Sequence, residues 1–87
     1  MTRDELIPAL GYPSIFCRTP EKAADNLLRL IANHECGYVE ERETWLAALR
    51  SLLEEGFNAE ELNLCGAAFT EHQWQQTLLL LIQKLMV

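Results

Sequence analysis

A 29-residue echo constrains this chain more than any other feature. Cys36-Gly37 is followed nine residues after the cysteine by Trp45, and Cys65-Gly66 is followed by Trp74 at the same spacing. The register continues past the tryptophans, because Leu49, Leu52 and Leu53 correspond to Leu78, Leu81 and Ile82. Each copy sets an aromatic residue at the head of an apolar stripe with helical period. The pattern predicts two similar helices that turn tryptophan-led faces toward one shared core. It specifies architecture and names no reaction or ligand.

Start and stop signals divide the rest into helices. Thr19-Pro20 offers a capping hydroxyl with proline at the first helical position, where its missing N–H does no harm. The helix it starts should run over 20–34, with Ala23, Ala24, Leu27, Leu28, Leu30 and Ile31 on one face. A second helix over 40–55 carries Trp45, Leu49 and Leu52 inward and ends at Gly56, where a left-handed glycine with Phe57 folded back would make a Schellman stop. Asn58 with Glu61 and Thr70 with Gln73 have the form of capping boxes, predicting a short helix over 59–68 and a last one over 71–86. Residues 1–19 hold Pro8, Gly11 and Pro13, so a single helical turn from Thr2-Glu5 is expected in a mostly irregular arm. Leu6, Ile7, Leu10, Tyr12, Ile15 and Phe16 should fix that arm across the core. The fold class is all-α: four main helices and an ordered N-terminal arm in one domain, 1–87.

Size and charge bound the function. A chain of 87 residues buries only about 60–65% of the surface its unfolded form exposes, so a roomy catalytic cleft is not expected. The longest apolar run, Leu78 to Ile82, is far shorter than the ~20 residues that span a bilayer. The first residues bring Asp4 and Glu5 where a secretory signal carries bases, and three unpaired cysteines suit a reducing compartment. The expected setting is the cytoplasm, without membrane attachment.

Thirteen acids against seven bases leave a net charge of −6. Residues 35–61 hold eight glutamates and only Arg42 and Arg50 as bases. Nucleic acid is held through Lys and Arg, so direct binding to it is not expected, even though His72, Gln73, Gln75 and Gln76 could face a groove. Clustered acids suit a protein partner with a basic surface, and Glu40, Glu41, Glu43, Glu54 and Glu55 are the candidate contacts.

The last helix suggests a second contact. Leu79 and Leu80 fall outside its Trp74, Leu78, Leu81, Ile82, Leu85 stripe, making it apolar around most of its circumference. Such a helix is central in its own fold or buried against a second chain. In the second case Leu79, Leu80, Met86 and Val87 form a homodimer contact.

The chemistry-bearing residues form no motif. His34, Cys36, Cys65, His72 and Cys17 are possible metal ligands, but structural zinc sites present pairs two to four residues apart on a knuckle. Cys36 with His34, or Cys65 with His72, would be the thiol–imidazole pairs for nucleophilic catalysis, but residues two apart on a helix point to different sides and the seven-residue pair straddles a helix break. No catalytic residue, metal site or cofactor is assigned. The expected function is a small acidic protein-interaction or regulatory module, self-associating through its C-terminal helix. The alternative is an acidic inhibitor that docks on the basic surface of a nucleic-acid-binding protein, with a metal-binding or thiol-dependent protein behind both.

Overall fold

The computed structural model describes residues 1–64 and 68–87. Among them the helices are α1 (Arg3–Gly11), α2 (Pro20–Ala32), α3 (Arg42–Glu55), α4 (Ala59–Leu62) and α5 (Glu71–Met86), with 3-10 turns at Tyr12–Ser14 and Glu35–Gly37. Four of these helices begin on a side chain that accepts from an amide the helix cannot satisfy. Thr2 and Thr70 form reciprocal capping boxes with Glu5 and Gln73, while Thr19 accepts from Lys22 N and Asn58 from Glu61 N. Only α3 starts without one, at Glu41. The result is the expected all-α architecture, with no strand among the described residues.

The N-terminal arm departs from expectation. In place of one turn it forms the nine-residue α1, which Pro8 does not interrupt. Proline deletes a single bond, the one its own N–H would give to Asp4, and Asp4 is exposed, so water can satisfy that carbonyl. The capping box and the burial of Leu6 and Leu10 against the core offset the loss. The arm's apolar residues divide: Ile7 and Ile15 are half-buried, whereas Tyr12 and Phe16 are exposed, Phe16 almost completely at 93%.

Boundaries elsewhere shift for local reasons. α2 stops at Ala32, short of the expected 34, because His34 adopts the left-handed conformation (φ 52°, ψ 41°) and Cys36 does so again (φ 53°, ψ 35°). α3 begins at Arg42, not at Glu40. It ends on Gly56 with φ 87° and ψ 161°, outside the left-handed helical well. Glycine is needed there for its positive φ, but the Schellman geometry is not formed. α4 is one turn, ending where Asn63 leaves helical angles at ψ 68°. The longer helix expected over 59–68 is therefore not formed, since neither Asn63 nor Ala68 is helical; Cys65 and Gly66 of the second echo lie outside the described residues.

One continuous core joins all five helices, from Leu6 and Leu10 through Leu27, Leu49 and Leu62 to Leu81 and Leu85. Trp45 and Trp74 lie inside it at 1% and 0% exposure. α5 packs on α2 along one side and on α3 along another, so it is the central helix. That is why its sequence is apolar around so much of its circumference.

Gly11 belongs to this packing. Its φ of −72° is ordinary, so conformational freedom is not the reason for glycine here. A Cβ would sit 2.6 Å from the Leu62 carbonyl oxygen and 3.0 Å from a Leu64 methyl. Glycine lets α1 approach the end of α4.

Candidate partner-binding surface

α3 carries most of the candidate acids. Glu43 and Glu54 are eleven residues apart, three turns of helix, so they share a face about 16 Å apart. Ala47, Arg50 and Ser51 lie exposed between them. Glu40 is half-buried just before the helix, and Glu41 and Glu43 are exposed at its positive end. The acids thus occupy the two ends of one helix face and do not form a continuous patch.

Ion pairing separates them further. Arg3 reaches Glu61 at 2.7 Å and Glu55 at 3.6 Å, tying α1 to the start of α4 and the end of α3. Arg29 pairs with Glu35 at 2.8 Å and Lys84 with Asp25 at 2.9 Å. Among the described residues no cation pairs with Glu40, Glu41, Glu43 or Glu54. The two arginines of the same helix turn toward the end of α5, where Arg42 donates to the Val87 carbonyl (3.0 Å) and Arg50 approaches the Met86 sulfur (3.4 Å). Uncompensated carboxylates repel one another, and a basic surface relieves that repulsion.

The apolar candidates on α5 are less available than their sequence suggests. Leu80 is half-buried and packs against the core. Leu79 is 47% and Met86 62% exposed, with the exposed Gln83 between them. Two separated side chains remain of the expected strip, together with the terminal Val87.

Two concavities flank the N-terminus of α1. A groove of about 320 Å³ runs between α1 and α3, floored by Thr44, Ala47, Ala48 and Ser51 and rimmed by Arg3 and Glu55. A second pocket, about 310 Å³, is lined by Glu5 of α1, by Cys36, Tyr38, Val39 and Glu40 of the connecting loop, and by Trp45 of α3. Here the Tyr38 and Trp45 rings stack with centroids 5.6 Å apart and planes 10° from parallel. The Tyr38 hydroxyl donates to the Ala9 carbonyl, closing the loop onto α1. Burial pushes that phenol up to about 12, and the nearby Cys36 adds to the effect. Glu5 is held below the usual carboxylate range because the Thr2 amide and hydroxyl both donate to it.

The tryptophans of the two echoes differ in one respect that sequence spacing cannot register. Trp74 Nε1 donates to Asn63 Oδ1 at 2.8 Å, whereas Trp45 Nε1 is buried and has no acceptor among the described residues. Buried donors are nearly always paired, and an unpaired one costs roughly 1–3 kcal/mol.

The metal and thiol candidates are scattered. His34 and Cys36 are exposed on the same turn and His72 is exposed at the start of α5, while Cys17 is half-buried with its sulfur 3.6 Å from the Pro13 carbonyl. Desolvation raises the Cys17 thiol, which disfavours the reactive thiolate. His34 Nδ1 lies 3.0 Å from the Tyr38 carbonyl. Among the described residues no three His, Cys, Asp or Glu side chains gather as metal ligands; Cys65 lies outside them. No described helix is long and apolar enough to cross a membrane.

Tyr38 and Asn63 carry no motif, and their roles depend on partners 29 and 11 residues away. No sequence signal marks either. Comparison with family models, curated proteins and solved structures finds no match to this chain.

Proposed function

We propose that this chain is a small protein-interaction module that offers the unpaired glutamates at the two ends of α3 to a basic protein surface. One observation carries the reading: Glu40, Glu41, Glu43 and Glu54 have no cationic partner among the described residues, while Arg42 and Arg50 of α3 contact the end of α5. A partner bringing Lys or Arg gains long-range attraction, and its association weakens as salt rises. The test is capture of basic proteins from the native host across a salt series. Capture that falls steeply with salt and is lost when Glu40, Glu41 and Glu43 become Gln supports the reading; salt-insensitive capture, or capture unchanged in the triple variant, sinks it. Competition by duplex DNA for the captured protein is expected if the partner binds nucleic acid, the case in which the module acts as an inhibitor.

Self-association is the second reading, favoured by the 47% and 62% exposure of Leu79 and Met86. The central position of α5 already accounts for its other apolar residues, so this contact would be small. Light scattering that gives a dimer, dissociated by Leu79→Ser with Met86→Ser, supports it. A monomer over a wide concentration range removes it.

A further inference from the structure

We infer that residues 34–39 form a gate over Trp45, hinged on the end of α2 and latched by Tyr38, and that its opening turns the Trp45 ring from core into surface. The gate operates whether or not the docking of a basic partner proposed above occurs.

Strain loads the closed gate. His34 (φ 52°, ψ 41°) and Cys36 (φ 53°, ψ 35°) both adopt the left-handed conformation, on either side of Glu35. That region disfavours any residue with a Cβ, and it persists only where surrounding contacts enforce it. Few contacts do so here. No residue of 34–39 is buried: Glu35 and Tyr38 are half-buried and the others are exposed.

The two ends of the segment are tied unequally. On the α2 side Glu35 accepts from Arg29 at 2.8 Å and from Asn33 at 3.3 Å, which fixes the hinge. Toward α1 and α3, Tyr38 supplies the segment's one side-chain hydrogen bond among the described residues, from its hydroxyl to the Ala9 carbonyl. Its ring lies nearly flat on the Trp45 ring, the two planes 10° from parallel. Beside this latch is a space of about 310 Å³ lined by Ala9, Val39 and Trp45 as well as Tyr38. Close-packed interiors leave no such room, so the segment rests on its neighbours chiefly through one side chain. Releasing Tyr38 frees both left-handed residues to relax.

Trp74 provides the contrast. It is 0% exposed, its N–H is bonded to Asn63 and Phe69 meets its edge. Recognition loops and lids are drawn from segments that open well below the global unfolding free energy. The open gate presents an aromatic ring beside Glu40, at the start of α3.

The experiment labels both tryptophans as 5-fluorotryptophan and reads their minor states by fluorine saturation transfer, with Trp45 assigned by the loss of its signal in Trp45→Phe. Trp45 should show a minor state shifted toward the urea-unfolded chain, and Trp74 should show none. Tyr38→Phe keeps the ring but removes the bond to Ala9, so it should raise the open population by about threefold or more, as for the net loss of one hydrogen bond. Cys36→Gly relieves strain in the closed form and should lower that population by about twofold or more.

No Trp45 minor state in either the parent or Tyr38→Phe overturns the inference, as does the same minor state at both tryptophans. An open population that Tyr38→Phe leaves unchanged, or that Cys36→Gly raises, overturns it equally.

Discussion

Asn63 holds Trp74 through a fork: its Oδ1 accepts the indole N–H at 2.8 Å and the Phe69 amide at 3.1 Å, while its Nδ2 donates to the Phe69 carbonyl at 2.6 Å. Phe69 meets the Trp74 ring edge-on with centroids 5.1 Å apart. One amide side chain thereby joins the end of α4 to the start of α5 and satisfies the one polar atom of a fully buried indole. Asn63→Ala strands these partners and is expected to destabilise the fold by about 2–4 kcal/mol, read as a lower urea midpoint. A midpoint within error of the parent would show that water replaces the fork.

The tryptophans should respond unequally to the same substitution. Both Trp→Ala changes remove a large core side chain and are expected to cost about 3–5 kcal/mol. Phenylalanine separates the polar from the apolar contribution. Trp74→Phe deprives Asn63 of a donor, whereas Trp45→Phe deletes an N–H that has no partner. Trp74→Phe should be the worse by about 1 kcal/mol or more in matched denaturation curves; equal losses would refute the distinction.

Gly11→Ala should destabilise despite alanine's better helix propensity. Its Cβ would sit 2.6 Å from a backbone oxygen, which cannot rotate away as a side chain can. The expected cost is about 1–3 kcal/mol, from displacing α1 relative to α4. Thermal melting checks it, and a stabilised variant would mean that the two helices are not so closely apposed.

Alkaline titration tests the loop that Tyr38 closes. Burial raises the folded-state phenol to about 12, from the ordinary phenol value of 10.0. Between these values the unfolded chain loses a proton that the folded chain keeps, so stability is complete below about 10 and falls as pH rises toward 12. Phenolate absorbance should show the late ionisation, and Tyr38→Phe should abolish it together with this part of the alkaline stability loss. A Tyr38 phenol ionising near 10 would contradict the buried loop.

Much of the architecture is legible along the chain because the signals that specify it are local. Thr19-Pro20, Asn58 and Thr70 fix helix starts through bonds to amides three residues on, and the echo marks Trp45 and Trp74 as core by their leucine stripes. Pro8 misleads because proline's cost depends on what its missing bond leaves unsatisfied, here an amide acceptor in an exposed first turn. Phe16 misleads because hydrophobicity alone does not say which side of a turn reaches the interior. Of the candidate contacts, the unpaired state of Glu40, Glu41, Glu43 and Glu54 follows from where Arg3, Arg42 and Arg50 reach, and those reaches span the fold.

By itself the sequence determined the helical class, the capped starts and the inward placement of both indoles, since capping and 3.6-residue periodicity act over a single turn. Tertiary structure alone decided that α5 is central, that Gly11 is a packing glycine, that Asn63 serves one indole while the other has no acceptor, and that Glu5 and Glu40 share a pocket. Each of these depends on atoms distant along the chain being brought together, and close packing in three dimensions selects such partners without leaving a mark in the local order of residues.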